Sequence, residues 1–221
     1  VEPSDNGRRP HAVVIGAGFG GLAGAIRLAA RGYRVTVLDK RDQPGGRAYV
    51  YRQDGFTFDG GPTVITAPHL FEELWTLCGR RLADDVTLEP VSPFYRIRFH
   101  DGDAFDYTGD AEAMRKQIAR LCPGDVEGYD GFMAMSREIC EVGFEKLSSV
   151  PFSRWTDMAR IVPELIRLKG YRTVHGLVSS YITDPKLRQV LSFHPLLVGG
   201  NPFDTPSIYS LICWLERQWG V

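Results

Sequence analysis

The sequence predicts an α/β fold: a parallel β–α–β unit first, an antiparallel sheet inserted after it, and a helical region over the rest of the 221 residues. Three observations predict it. An apolar run at 12–15 leads into Gly16-Ala17-Gly18-Phe19-Gly20-Gly21 and an Ala/Leu-rich stretch, and a second apolar run at 35–38 ends on Asp39. Residues 86–107 alternate apolar and polar side chains around Asp101-Gly102, the pattern of short strands joined by a tight turn. From Asp110 onward the apolar spacing becomes helical.

In the first unit, the valines and isoleucine of 12–15 suit a strand buried on both faces of a parallel sheet. Gly16, Gly18 and Gly21 then form G-x-G-x-x-G. The first turns the strand into a helix, the second lets a pyrophosphate approach the backbone, and the third lets the helix pack on the sheet. The helix, expected over 20–31 with Gly20 at its start, aims free N–H groups and its positive dipole end at phosphates. Gly32 sits where a helix-ending glycine belongs. Asp39 lies twenty-three positions after Gly16, near the spacing of the acid that bonds a ribose 2′-hydroxyl. The unit is thus Rossmann-like. The carboxylate of Asp39 repels a 2′-phosphate and disfavours NADP, although Lys40 and Arg41 offer cations nearby. The glycine loop does not separate NAD from FAD.

A second turn, Pro44-Gly45-Gly46-Arg47, follows the acid. Gly45 and Gly46 permit close backbone approach, and Arg47 can fork onto phosphate oxygens; the plain alternative is a surface Pro-Gly turn with a solvated arginine. The segment from Asp39 to Ala48 resembles that of the flavoprotein group containing amine oxidases, protoporphyrinogen oxidases and carotenoid desaturases. There the Gly-Gly-Arg turn lies against the flavin's phosphate and ribityl portion. The resemblance implies FAD.

Composition is that of an ordinary globular chain, 43% hydrophobic with net charge −1, and no basic excess points to nucleic acid. Cys78, Cys122, Cys140 and Cys213 have no metal-like or CxxC spacing, so buried thiols in a reducing compartment are expected and no metal site is. The polar residues 1–10 read as a flexible tail without a secretory signal, and no apolar run reaches membrane-spanning length.

The expected domains are the tail at 1–10, a cofactor-binding part at 11–84, a substrate-domain sheet at 85–109 and a helical part at 110–221. Residues 49–59 read as a hairpin turning at Asp54-Gly55. Gly60-Gly61-Pro62-Thr63 forces irregular backbone, with its amides and the Thr63 hydroxyl in the open: either a second cofactor-facing loop, through Gly61, Pro62 and Thr63, or a plain turn. A helix starts at Pro68. Residues 86–107 predict three strands. Asp110 caps a helix that ends before Pro123-Gly124, and 126–147 forms another, whose Tyr129, Phe132, Met133 and Met135 are either core or the lining of a lipid tunnel. Residues 155–169 form an amphipathic helix with Trp155, Met158, Val162, Leu165 and Ile166 on one face and a cationic excess on the other, a pattern found both in globular helices and at membrane interfaces. Asp157 and Arg160 stand one turn apart on it, as a surface ion pair or as a charged pair beside an apolar site. Short helices at 176–182 and 185–193, an irregular turn at Gly199-Gly200-Asn201-Pro202 and an apolar helix over 207–219 complete the chain.

Several runs together resemble the bacterial and fungal phytoene desaturases. They are Val14 to Ala23, Pro44 to Tyr51, Gly55 to Thr66, Pro93 to Arg96, Asp125 to Tyr129 and, most particular to that family, Ser192 to Phe203. Asp39 departs from the glutamate frequent there, and Pro195 from a small polar residue. The resemblance implies FAD-dependent desaturation of phytoene, with hydride passing to flavin N5 and a proton lost. It implies a water-free tunnel, peripheral contact of a cytoplasmic protein with the membrane through the Trp155 helix, and oxygen or a quinone as electron acceptor. It also implies Asp157 as proton acceptor with Arg160 orienting it. Members of that family are roughly twice this length, so the chain is expected to be truncated. A flavin amine or porphyrinogen oxidase, or a prenyl-lipid escort protein of the same fold, are the competing readings.

Overall fold

A computed structural model describes residues 9–61, 64–147, 151 and 153–220. Pro62, Thr63 and most of the N-terminal tail lie outside the described residues. The chain divides into two compact units, Val1–Glu89 and Pro90–Val221.

In the first unit, β1 (His11–Ile15) pairs in parallel with β2 (Arg34–Leu38), in register from His11 opposite Arg34 to Ile15 opposite Leu38. The β-branched residues of both runs favour this extended geometry. Between them runs α1 (Phe19–Ala30), rich in the strong helix formers Ala and Leu. Gly32, at φ +89°, ends it. The expectation that β1 is buried on both faces is corrected. Its residues alternate, with Val13 and Ile15 exposed, Ile15 at 87%. The reason is layering: α1 covers the Val14 face, and among the described residues β1 and β2 form a sheet of two strands only.

The second turn of the sequence is a short 3₁₀ segment, Gly46–Ala48, and leads into a hairpin of β3 (Val50–Gln53) and β4 (Phe56–Asp59). Asp54 and Gly55 both have positive φ, 51° and 82°, which gives the turn the twist that matches the strands. α2 (His69–Leu77) packs beside α1: the rings of Phe19 and Phe71 meet edge to face at 5.9 Å, and Arg27 pairs with Glu73 at 2.8 Å.

The second unit begins with two strands, not three. β5 (Tyr95–Arg98) pairs with β6 (Ala104–Tyr107) across the Asp101-Gly102 turn, whereas 86–94 forms no strand. Pro90 and Pro93 remove ladder donors from that stretch. α3 (Ala111–Leu121) is capped by Asp110, whose Oδ1 accepts from Glu112 N and Ala113 N at 2.8 and 3.1 Å. The long helix expected after it is α-helical as α4 (Val126–Cys140) and then widens into a π-helical turn, Glu141–Lys146. Tyr129, Phe132 and Met133 of α4 are buried in one core with Phe105, Ile118, Leu177 and Leu191. That position favours core over tunnel for the stripe. α5 (Trp155–Arg167), α6 (Val174–Val178), α7 (Pro185–Ser192) and α8 (Leu211–Trp219) complete the unit. Buried Asp125, before α4, accepts from Thr183 N and Asp184 N at 2.9 and 2.8 Å, tying the start of α4 to the start of α7.

Candidate functional site

The two glycine turns are built against each other. Gly45 N donates to Ala17 O at 2.9 Å, and Gly18 and Gly45 form a parallel bridge. A Cβ on Gly46 would stand 2.9 Å from the Cα of Gly18, and Gly46 has φ +62°. Part of the glycine requirement is therefore loop against loop. A side chain on Gly21 would meet the carbonyl of Gly16, so the third glycine sets helix against strand, as its spacing implies. Gly16, at φ +100°, makes the turn itself.

This leaves the start of α1 open. Gly18 caps it without any side-chain hydrogen bond, and its first turn carries no acid. Its leading N–H groups and dipole therefore face the loop without a protein anion to satisfy them. No protein atom stands within 4 Å of a Cβ built on Gly20. Beside the turn lies a cleft of about 560 Å3, lined by Gly16, Asp39, Lys40, Arg41, Gly46 and Arg47 among others. Uncapped amides, a close-packed glycine cradle and two cations, Lys40 and Arg47, that form no salt bridge among the described residues fit a dinucleotide's pyrophosphate.

Asp39 has a double role. Its Oδ2 accepts from Ala17 N at 2.6 Å and its Oδ1 from Arg41 N at 2.9 Å, so it staples the first loop to the residues after β2. These two amide donors hold its carboxyl below the usual range, with Arg41 and Lys40 assisting. Each oxygen keeps a lone pair for a ribose hydroxyl. Arg41 is committed elsewhere, donating to Gly46 O at 3.0 Å and lying 5.0 Å over the ring of Tyr49.

Gly61 packs on the same turn, where a Cβ would come 2.7 Å from Ala48 Cα. Asp157 and Arg160 are not brought together. Asp157 Oδ2 accepts from Arg154 N at 3.0 Å, closing the first turn of α5, while Arg160 is exposed and forms no ion pair with it.

Sequence reasoning missed a buried polar chain in the second unit. Tyr95 donates to Glu216 Oε1 at 2.7 Å, and Glu216 Oε2 lies 3.0 Å from His194 Nε2. His194 Nδ1 lies 3.4 Å from Cys213 Sγ. His194 and Glu216 are 1% and 0% exposed. The available signal was Glu216, the one carboxylate of an apolar helix, one turn after Cys213.

The family model for flavin-containing amine oxidoreductases matches residues 19–219. The chain is 55% identical to a lycopene-forming phytoene desaturase of Pantoea ananas over 94% of its own length and 42% of the relative's. It is 45% identical to a neurosporene-forming phytoene desaturase of Rhodobacter capsulatus, over 95% of its own length and 40% of that relative's. The chain thus spans less than half the length of the curated relatives it matches. Among solved structures, putrescine oxidase bound to putrescine shares the fold, with TM-score 0.57 at 17% identity over 92% of this chain and 40% of that one. The family match supports FAD as the cofactor, and the chain belongs to the flavin-containing amine oxidoreductase family.

Proposed function

We propose that this chain is part of an FAD-dependent phytoene desaturase that works towards lycopene or a related polyene. The observation that carries the reading is the 55% identity to a phytoene desaturase across nearly the whole chain. The α1 N-terminus and Arg47 orient the pyrophosphate, and Asp39 takes the ribose hydroxyls. Bound flavin supplies a hydride acceptor, which an unactivated CH–CH bond requires. Oxygen or a quinone then accepts the electrons.

The substrate is wholly apolar, so it has to be collected from a bilayer. No helix among the described residues is long and apolar enough to cross one. α5 supports a peripheral contact. Trp155, Met158, Val162 and Ile166 form one exposed apolar stripe, Trp155 at 81%, flanked by Arg154 and Arg160. On this reading Asp157 would accept the substrate proton beside Arg160. The capping bond of Asp157 and the exposure of Arg160 favour helix cap and membrane-facing cation instead.

The test is flavin titration followed by incubation with phytoene-loaded liposomes, for this chain and for a longer protein that carries it. Coloured polyenes support the reading. FAD uptake by the longer protein with phytoene untouched moves the assignment to another flavin oxidase. Lipid uptake without flavin moves it to an escort protein.

A further inference from the structure

The buried chain Tyr95–Glu216–His194–Cys213 serves no step above, yet it borders a cavity of about 540 Å3 in the second unit, walled by Ile97, Phe193, Leu196, Pro202 and Phe203 among others. Phe193 is where the two meet. Its ring lies on the His194 imidazole, with centroids 4.3 Å apart and planes at 32°, and stands edge-on to Tyr95 at 5.1 Å. Tyr95 and Ile97 are two residues apart on β5, so one strand carries both the first donor of the chain and a wall of the cavity.

The bonding pattern accommodates an ion pair between Glu216 and His194. Glu216 accepts from the Tyr95 hydroxyl through Oε1 and faces His194 Nε2 through Oε2. The Cys213 thiol donates to Leu191 O at 3.9 Å, which leaves its sulfur to accept from His194 Nδ1. With a proton on both ring nitrogens, every donor has an acceptor and the cluster is neutral overall. A free carboxyl is intrinsically more acidic than a free imidazolium by about 2 pK units. The face of Phe193 favours a cation beside it. The other titratable group against His194 is Tyr107 of β6, its ring 5.1 Å away.

We propose that Glu216 holds His194 as a buried imidazolium, and that this ion, through Phe193, sets the wall of the cavity to receive an apolar chain. His194 and Glu216 are then positioning residues for the polyene. The inference rests on the reading that the substrate is an apolar polyene. Burial alone pushes the imidazole down; its contacts with Cys213 and with the Glu216 carboxylate outweigh that and raise it.

The test reads charge and binding separately. 15N NMR of the His194 ring at pH 7 is expected to show two protonated nitrogens, and one protonated and one bare nitrogen overturns the proposal without any variant. Diphenylhexatriene, an uncharged fluorescent polyene, probes the cavity. Wild type is expected to take up one equivalent, and Glu216→Gln to bind it about ten-fold more weakly with loss of the imidazolium signal. Ile118→Ala, a core change in α3 that lowers stability without touching the chain, is expected to leave affinity within about two-fold. No uptake by wild type, unchanged affinity in Glu216→Gln, or an equal loss in Ile118→Ala overturns the proposal. Failure of the substrate reading looks different: diphenylhexatriene uptake that depends on Glu216, with phytoene untouched by the flavin-loaded longer protein, keeps the positioning role and removes phytoene.

Discussion

Gly46 and Gly20 separate two meanings of a glycine. At Gly46 a side chain meets the Cα of Gly18, and the backbone has φ +62°. Gly46→Ala is therefore expected to displace the second turn and weaken FAD binding by about a hundredfold, with a strain cost of roughly 1–3 kcal/mol in the free chain. At Gly20 a side chain meets no protein atom within 4 Å. Gly20→Ala is expected to stabilise the free helix by up to about 1 kcal/mol and still to weaken FAD, because on the proposed reading the space it enters is the cofactor's. Paired flavin titrations and urea melts check both; tight FAD binding by Gly20→Ala removes Gly20 from the site. The two titrating residues have opposite pH signs. Asp39 is held below its ordinary value, so its contribution is present above about pH 4 and is lost as pH falls through its lowered folded value. His194 is raised to about 10, so its contribution is complete below the unfolded value near 6.5 and is lost as pH rises through about 10. Urea melts from neutral to alkaline pH are expected to show that alkaline loss in the wild type and not in Glu216→Gln. The glycines were legible because a local turn fixes their spacing, and Asp39 because one strand–helix–strand unit fixes its distance from Gly16. The His194–Glu216 pair was not, because its members are 22 positions apart and a lone carboxylate in an apolar helix does not name its partner.

At the scale of elements, α5 leaves four large apolar side chains exposed, and it is where amphipathic pattern and tertiary role part company. The pattern reads equally as a packed helix or an interfacial one. The structure leaves the Trp155, Met158, Val162 and Ile166 stripe exposed while Ile161 and Leu165 are half-buried. A tryptophan or isoleucine leaving water contributes up to about 1.5–3 kcal/mol. Trp155→Ala with Ile166→Ser is accordingly expected to weaken sedimentation with anionic liposomes by roughly a hundredfold or more; unchanged sedimentation would place the contact elsewhere. Asp157→Ala is expected to cost about 1 kcal/mol through loss of the cap bond, whereas turnover lost with stability retained would restore Asp157 as a proton acceptor. Hairpins were the most legible elements, since Asp54-Gly55 and Asp101-Gly102 specify their own turns. The expected strand in 86–94 failed because alternation alone takes no account of the donors that Pro90 and Pro93 lack.

For the whole chain, the two units rest on different foundations. The second has a continuous buried core through α3, α4, α6 and α7, while in the first, among the described residues, β1 and β2 form a sheet of two strands in which Ile15 is 87% exposed. Sequence showed the β–α–β order but not this asymmetry, because a run of valines looks the same whether one face or both are covered. All the residues proposed to hold FAD lie in the first unit. Ligand bound only to a folded unit stabilises that unit by mass action, about 2.7 kcal/mol at a hundred times Kd. If each unit unfolds on its own, calorimetry is expected to resolve two transitions, with FAD moving only one. Phe132→Ala, which empties a buried site in the second unit, is expected to lower the other by about 3–5 kcal/mol and to leave FAD affinity unchanged. A single transition that both changes move together would mean that the units fold as one, and that the Glu89–Pro90 boundary marks no independent division.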